Sequence, residues 1–354
     1  KRCLSPGQQP LHWSGFFVTA PRPCASLQQS PAGLSLDYTG SMNVTAKHIQ
    51  QAHARIAPHI HRTPILQSQL LNRMLGCELY FKAENLQKIG AFKARGACNA
   101  VFSMSDASLQ KGVITHSSGN HGAALAWATS LKGAPCTVVM PENAPQVKKD
   151  AVAAYGAHIQ LCEPTMAARE GTVARLIEEQ GRTLVHPYDA DVIIAGQGTA
   201  ALELLEQIDQ PLDTVMAPVG GGGLIGGTGI WVKANSRAQV IGAEPEQAKD
   251  AWLGFTSGQR LPEYSPNTIA DGLRATLGVR PFAAITSTVD DILLCSEQRI
   301  VEAMRLIWTR LKVIIEPSCA VPLAAIMDQP AQFQGKRVAI ILTGGNVDLD
   351  NLPW

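Results

Sequence analysis

From Asn43 onward, short apolar runs alternate with longer stretches whose apolar positions fall three and four residues apart. Positions 49–56 carry helical spacing, and Thr63-Pro64 ends it. Positions 79–82 read as a strand and 92–104 as a helix with Phe92, Ala97, Ala100 and Val101 on one face. A strand at 112–116 enters a Ser-Ser-Gly-Asn turn, and the helix that follows, 121 to about 131, stops at Gly133. Strands at 137–140, 157–161 and 184–186 flank a helix near 172–179. Later come a strand at 214–217, a glycine-rich turn, a helix to about 234, and strands at 240–243 and 338–342. Strands without a polar face, separated by helices, belong to parallel sheets covered on both sides. The pattern predicts an α/β protein with two such sheets. A smaller domain is expected at 112–187, and a larger one from 43–111 and 188–354.

The first 41 residues show no such period. They are rich in Ser, Pro and Gln and carry no acidic residue before Asp37, which is the composition of a transit segment. A start at Met42 is the alternative, and residues 1–42 are set apart as a leader. The net charge of +1 argues against a nucleic-acid partner or an anionic membrane surface. No apolar run reaches the roughly 18–20 residues that span a bilayer. The eight cysteines include no Cys-x-x-Cys pair, so they read as reduced core residues of a cytoplasmic protein.

Two segments carry chemistry. Pro218-Val219-Gly220-Gly221-Gly222-Gly223-Leu224 leads from a strand into a helix, where free N–H groups and the helix dipole suit a phosphate. Gly221, Gly223 and Gly226, with Glu244 18 residues further on, also fit a dinucleotide fingerprint. The run alone leaves NAD and another phosphate cofactor equally open. Lys93 stands at the start of a helix in an apolar stretch, where desolvation and the dipole both favour a neutral, nucleophilic amine.

Four motifs then occur in one order: 88–97 around Lys93, His116-Ser117-Ser118-Gly119-Asn120-His121-Gly122, the glycine run, and Thr343-Gly344-Gly345-Asn346-Val347-Asp348. Together they resemble the serine racemase and serine/threonine dehydratase family of pyridoxal-phosphate (PLP) enzymes, over about 43–354. The resemblance implies PLP fold type II, with two open twisted parallel-sheet domains, the active site in the cleft between them, and a homodimer. It implies that Lys93 holds PLP covalently beside Phe92. Gly220, Gly221, Gly222, Gly223 and Leu224 would hold the phosphate, and Asn120 the ring hydroxyl. Thr343 would face the pyridine nitrogen, where a neutral hydroxyl makes a weaker electron sink than a carboxylate. Glu316 would lie near the ring. Ser117, Ser118, Gly119 and Asn120 would take the carboxylate of a small amino acid. Glu244, Asp250 and the Ala248 carbonyl match a Mg²⁺ or Ca²⁺ site of hard oxygen ligands.

Within that family, Lys93 and Ser118 would serve opposite faces of the substrate Cα. Such a pair permits serine racemisation, with loss of the β-hydroxyl as the accompanying dehydratase reaction. The alternative is a threonine/serine or 3-hydroxyaspartate dehydratase without physiological racemisation. The sequence ends eight residues after Asn346, so the regulatory domain of feedback-inhibited threonine dehydratases is not expected. Tyr188 after His186-Pro187, and Ile89 after Lys88, depart from the family pattern near the nucleotide site of animal racemases. They leave ATP activation open.

Overall fold

The computed structural model describes residues 43–117, 119–144 and 146–354, together with the backbone but not the side chain of Val147. The leader expected at 1–42 and the residue Ser118 lie outside the described residues. Among the described residues, ten strands form two sheets. They are β1 (Ile65–Leu66), β2 (Glu78–Ala83), β3 (Val113–Thr115), β4 (Cys136–Pro141), β5 (His158–Cys162), β6 (Thr183–Leu184), β7 (Thr214–Pro218), β8 (Gln239–Pro245), β9 (Asp291–Cys295) and β10 (Arg337–Leu342).

The larger sheet has the order β1-β2-β10-β7-β8-β9, and the smaller one β5-β4-β3-β6. Every pairing is parallel except that of the short edge strand β1 with β2, which departs from the all-parallel expectation. Because the strands are parallel, the loops after β2, β7 and β10 leave one edge of the larger sheet, where ligands of such sheets bind.

Side chains alternate between two apolar layers, as a pleated strand requires. Val215, Ala217, Ala339 and Ile341 face one cluster with the helices Asp191–Gln207 and Gly223–Asn235. Met216, Val338, Ile340 and Leu342 face the other, with the helices Glu297–Leu311 and Pro317–Asp328. The helix Lys93–Phe102 joins a third cluster with Val113 and Val138 of the smaller sheet.

Glycine contacts weld the site-bearing helices into one block. A Cβ on Gly196 would stand 2.7 Å from Gly96 Cα, and one on Gly198 would stand 2.9 Å from the Gly227 carbonyl oxygen. The helix Asp191–Gln207 therefore meets both the Lys93 helix and the glycine-run helix backbone to backbone. Their relative positions are set by main chain rather than by adjustable side chains.

Candidate active site

Lys93 opens its helix, and the segment before it is stapled to the end of β10. Phe92 N donates to Thr343 O at 3.0 Å, Gly345 N donates to Gly90 O at 2.9 Å, and Ala91 bridges Gly344. The Lys93 ammonium nitrogen donates to the Pro187 carbonyl at 2.8 Å and lies 5.1 Å from the centre of the Phe92 ring. Burial lowers its pKa to about 8, against the pull of the Glu316 carboxyl. A useful fraction of neutral amine is then present near pH 7, as a desolvated nucleophile needs.

Next to Pro187, the Tyr188 ring packs on Gly221 and leaves no space there for a Cβ. Gly222 caps the helix Gly223–Asn235 with φ 84°, a conformation that a glycine adopts without strain. A Cβ at Gly222 would also stand 2.5 Å from Leu277 and 2.7 Å from Pro281. Among the described residues, the amides of Gly221, Gly222, Gly223 and Leu224 have no hydrogen-bond acceptor. Consecutive free donors at a helix N-terminus form an anion cradle.

The Thr343 hydroxyl is buried and makes no hydrogen bond of good geometry, with only the poorly accepting Cys319 thiol beside it. A buried hydroxyl without a partner is a place for a ring nitrogen. With the Lys93 amine and the amide cradle, it supplies the anchors that PLP requires, so the residues fit the cofactor.

Asn120 begins the helix Asn120–Ser130. Its amide nitrogen donates to both carboxyl oxygens of Glu316, at 3.0 and 3.1 Å, and its oxygen accepts from the Asn346 amide at 2.9 Å. Glu316 is buried, and its pKa is pushed up to about 7. Burial is the main cause and Asp271 adds to it, against Asn120, Lys148 and Lys93.

Three histidines crowd this region: His116, His121 and His186. The His186 pKa falls to about 3, through burial first and then His116, Lys93 and Arg280, and its Nδ1 accepts from Asp189 N at 2.8 Å. His121 is held well below the usual histidine range by burial and by Lys93, with its Nε2 against the Val185 carbonyl at 3.1 Å. These neutral imidazoles add no charge beside the lysine.

Behind the cradle, Glu244 accepts from Ala251 N at 3.2 Å and from Trp252 N at 2.7 Å, while Asp250 accepts from Leu277 N at 2.7 Å. Both carboxyls are buried. Desolvation raises both pKa values, and in Glu244 the Asp250 charge adds to it. Two buried carboxyls that repel one another suit a cation. Because Glu244 is enclosed by its own loop, it is not free to read a ribose, which removes the dinucleotide reading. Among the described residues no cluster of three or more His, Cys, Asp or Glu side chains could hold a metal. A cation here would rest on Glu244, Asp250 and main-chain oxygen such as that of Ala248.

The sequence reading missed the support under Lys93. Arg95 is fully buried and donates to Glu84 at 2.7 and 2.8 Å, to Glu203 at 2.8 and 2.7 Å and to Thr199 at 3.1 Å. Lys82, equally buried, donates to Glu203, Gln207 and the Thr63 carbonyl. Every N–H of both cations is used. Buried pairs of this kind cost about 3–5 kcal/mol when one partner is removed. The network ties β2 and the helix Asp191–Gln207 to the first turn of the Lys93 helix. No motif signals it, since its partners lie up to 125 residues apart.

A parallel α/β fold with a half-buried lysine, an amide cradle and a poorly satisfied buried hydroxyl at the same end of the sheet defines a phosphate-cofactor enzyme. The chain belongs to the pyridoxal-phosphate-dependent enzyme family, whose model matches residues 56–344. It is 51% identical to a beta-hydroxyaspartate dehydratase of Paracoccus denitrificans, over 88% of this chain and 98% of that one. It is 49% identical to a serine racemase of Dictyostelium discoideum, over 87% of this chain and 97% of that one. The crystal structure of a T.th. threonine deaminase matches with a TM-score of 0.82 at 44% identity, over 86% of this chain and 99% of that chain. The PLP-dependent racemases and dehydratases are thus its relatives, and its fold is theirs. No helix among the described residues is long and apolar enough to cross a membrane, and the described cysteines are buried and free.

Proposed function

We propose that the protein is a PLP-dependent serine racemase with accompanying dehydratase activity on serine and threonine. The observation that carries the reading is the half-buried Lys93 amine held on the Pro187 carbonyl, together with the free amides of the glycine run and the buried Thr343 hydroxyl. When bound, PLP supplies an electron sink that acidifies the substrate Cα–H.

Lys93 would hold the cofactor and take the α-proton on one face. The Pro187 carbonyl keeps its nitrogen aimed, and burial keeps it partly neutral. Phe92 would flank the cofactor and Asn120 its ring hydroxyl. The carboxylate would sit on Ser117, Ser118, Gly119 and Asn120 at the start of the helix. Ser118 would return the proton on the opposite face, which inverts the centre. A neutral Thr343 hydroxyl, rather than a carboxylate, would face the pyridine nitrogen and would keep the electron sink modest, which suits proton transfer and β-elimination.

A second reading, dehydration of 3-hydroxyaspartate, is favoured by the 51% identity to the Paracoccus denitrificans enzyme. Incubation with L-serine and with 3-hydroxyaspartate, measuring D-serine and keto acid from each, separates the two. D-serine formation supports the racemase, whereas keto acid from 3-hydroxyaspartate with no D-serine replaces it by the dehydratase.

We also assign Glu244, Asp250 and the Ala248 carbonyl to Mg²⁺ or Ca²⁺. A ligand that binds only the folded chain stabilises it by about 2.7 kcal/mol at one hundred times its Kd. Chelator should lower the melting temperature of the parent but not of Glu244→Ala. Equal responses would move the cation elsewhere.

A further inference from the structure

One contact between the two sheets has no part in the chemistry above. Lys148, on the helix Gln146–Ala153 beside the smaller sheet, donates to Asp271 Oδ2 at 2.6 Å. Asp271 begins the turn Asp271–Leu273 on the larger-sheet side. The two side chains are 33% and 37% exposed. An ion pair this wet is too weak to hold a fold together, but it suits a contact that is made and broken as a cleft closes.

The turn is wired to the cofactor side. Gly272 N donates to Ser318 Oγ at 3.0 Å, in the helix whose N-cap is Glu316. The charged groups that act on Glu316 are Asp271, Lys148 and Lys93. Cys319 beside it is kept as a neutral thiol by burial, and Asn120 is its hydrogen-bond partner. The Asn120 amide nitrogen sits 3.0 and 3.1 Å from the two carboxyl oxygens, a bifurcated contact that an ionised carboxylate accepts better than a protonated carboxyl, which turns one oxygen into a donor.

We propose that Glu316 is a positioning residue that reads closure of the cleft: docking of Lys148 on Asp271 favours its carboxylate, and the carboxylate fixes the Asn120 amide. The proposal rests on the reading of Asn120 as the residue that faces the cofactor. Asp271 alone disfavours the charge on Glu316, and Lys148 compensates it. The two latch partners therefore push Glu316 in opposite directions. A pair that merely joined the sheets would respond alike to the loss of either member.

The test follows the Glu316 carboxyl by carbon NMR in the full chain labelled at glutamate, with and without PLP, its resonance assigned by its loss in Glu316→Gln. The parent should titrate near the value of about 7 set by burial and Asp271. Lys148→Met should move the midpoint up and Asp271→Asn should move it down, each by on the order of half a pH unit. In the same titrations, the Kd for PLP should follow the Glu316 midpoint in each variant, and Glu316→Gln should weaken binding several-fold and remove its pH dependence. Shifts in the same direction, no shifts, or PLP binding indifferent to the midpoint would overturn the proposal. Should Glu316→Gln fail to fold, the two surface variants still decide the direction. A parent that binds no PLP would defeat the cofactor reading instead, while leaving the Glu316 titration itself measurable.

Discussion

Lys93→Ala should yield a folded protein that stays colourless with PLP and has lost both D-serine and keto-acid formation. Among the described residues, Lys93 is the cation whose amine lies at the meeting point of the Pro187 carbonyl, the Phe92 ring and the strand end at Thr343. Its removal takes away the covalent anchor and the base together. Positioned acid–base groups alone contribute about 10²–10⁴-fold, so the combined loss should exceed that range. The fold should survive, because the Lys93 side chain contributes a single hydrogen bond while the Arg95 network next to it stays complete. A coloured Lys93→Ala protein would transfer the anchor to another lysine. Far-ultraviolet circular dichroism alongside the visible spectrum distinguishes loss of chemistry from loss of fold.

Ser118→Ala should abolish racemisation while largely sparing dehydration of L-serine. Inversion needs a proton delivered on the face opposite Lys93, whereas elimination needs only Lys93 to remove one. The expected drop in racemisation is at least about 10²-fold. D-serine, whose α-proton faces away from Lys93, should become a very poor substrate for either product. A hydroxyl is a weak base and needs neighbours to activate it. Parallel losses in racemisation and L-serine dehydration would instead make Ser118 a substrate-binding group and advance the dehydratase reading.

The strands were legible because a parallel sheet buried on both faces must be written in unbroken apolar runs. β2, β4, β7, β8 and β10 all fall within a residue or two of the predicted spans. Helices with a wet face were partly legible: Met166–Gln180 begins well before the expected 172, its start marked by the Thr165 cap on Ala168 N at 3.1 Å. The helices Asp191–Gln207 and Pro317–Asp328 escaped the pattern for a physical reason. Both are buried over most of their surface, so neither shows the polar stripe on which a helical period depends. The strand expected at 184–186 stops at Leu184, and His186 instead turns its Nδ1 to the backbone of Tyr188 and Asp189.

Of the candidate site, what was readable is the local backbone setting: Lys93 and the glycine run each stand at the start of a helix. What the sequence could not reveal is assembled across the chain. The Glu316–Asn120–Asn346 chain spans 196 and 226 residues of separation. The Arg95–Glu203 pair spans 108. Glu244, a candidate ribose ligand by spacing alone, proved to be turned into its own loop by two backbone amides.

The central claim is that Lys93 carries the cofactor, and chemical capture tests it most directly. The PLP-loaded protein is reduced with borohydride, digested, and the peptide bearing the pyridoxyl phosphate is sequenced by mass spectrometry. The account predicts stoichiometric label on the peptide containing Lys93 and none on those containing Lys82, Lys88 or Lys148. Label on another lysine, or a protein that takes up no cofactor to reduce, would contradict it.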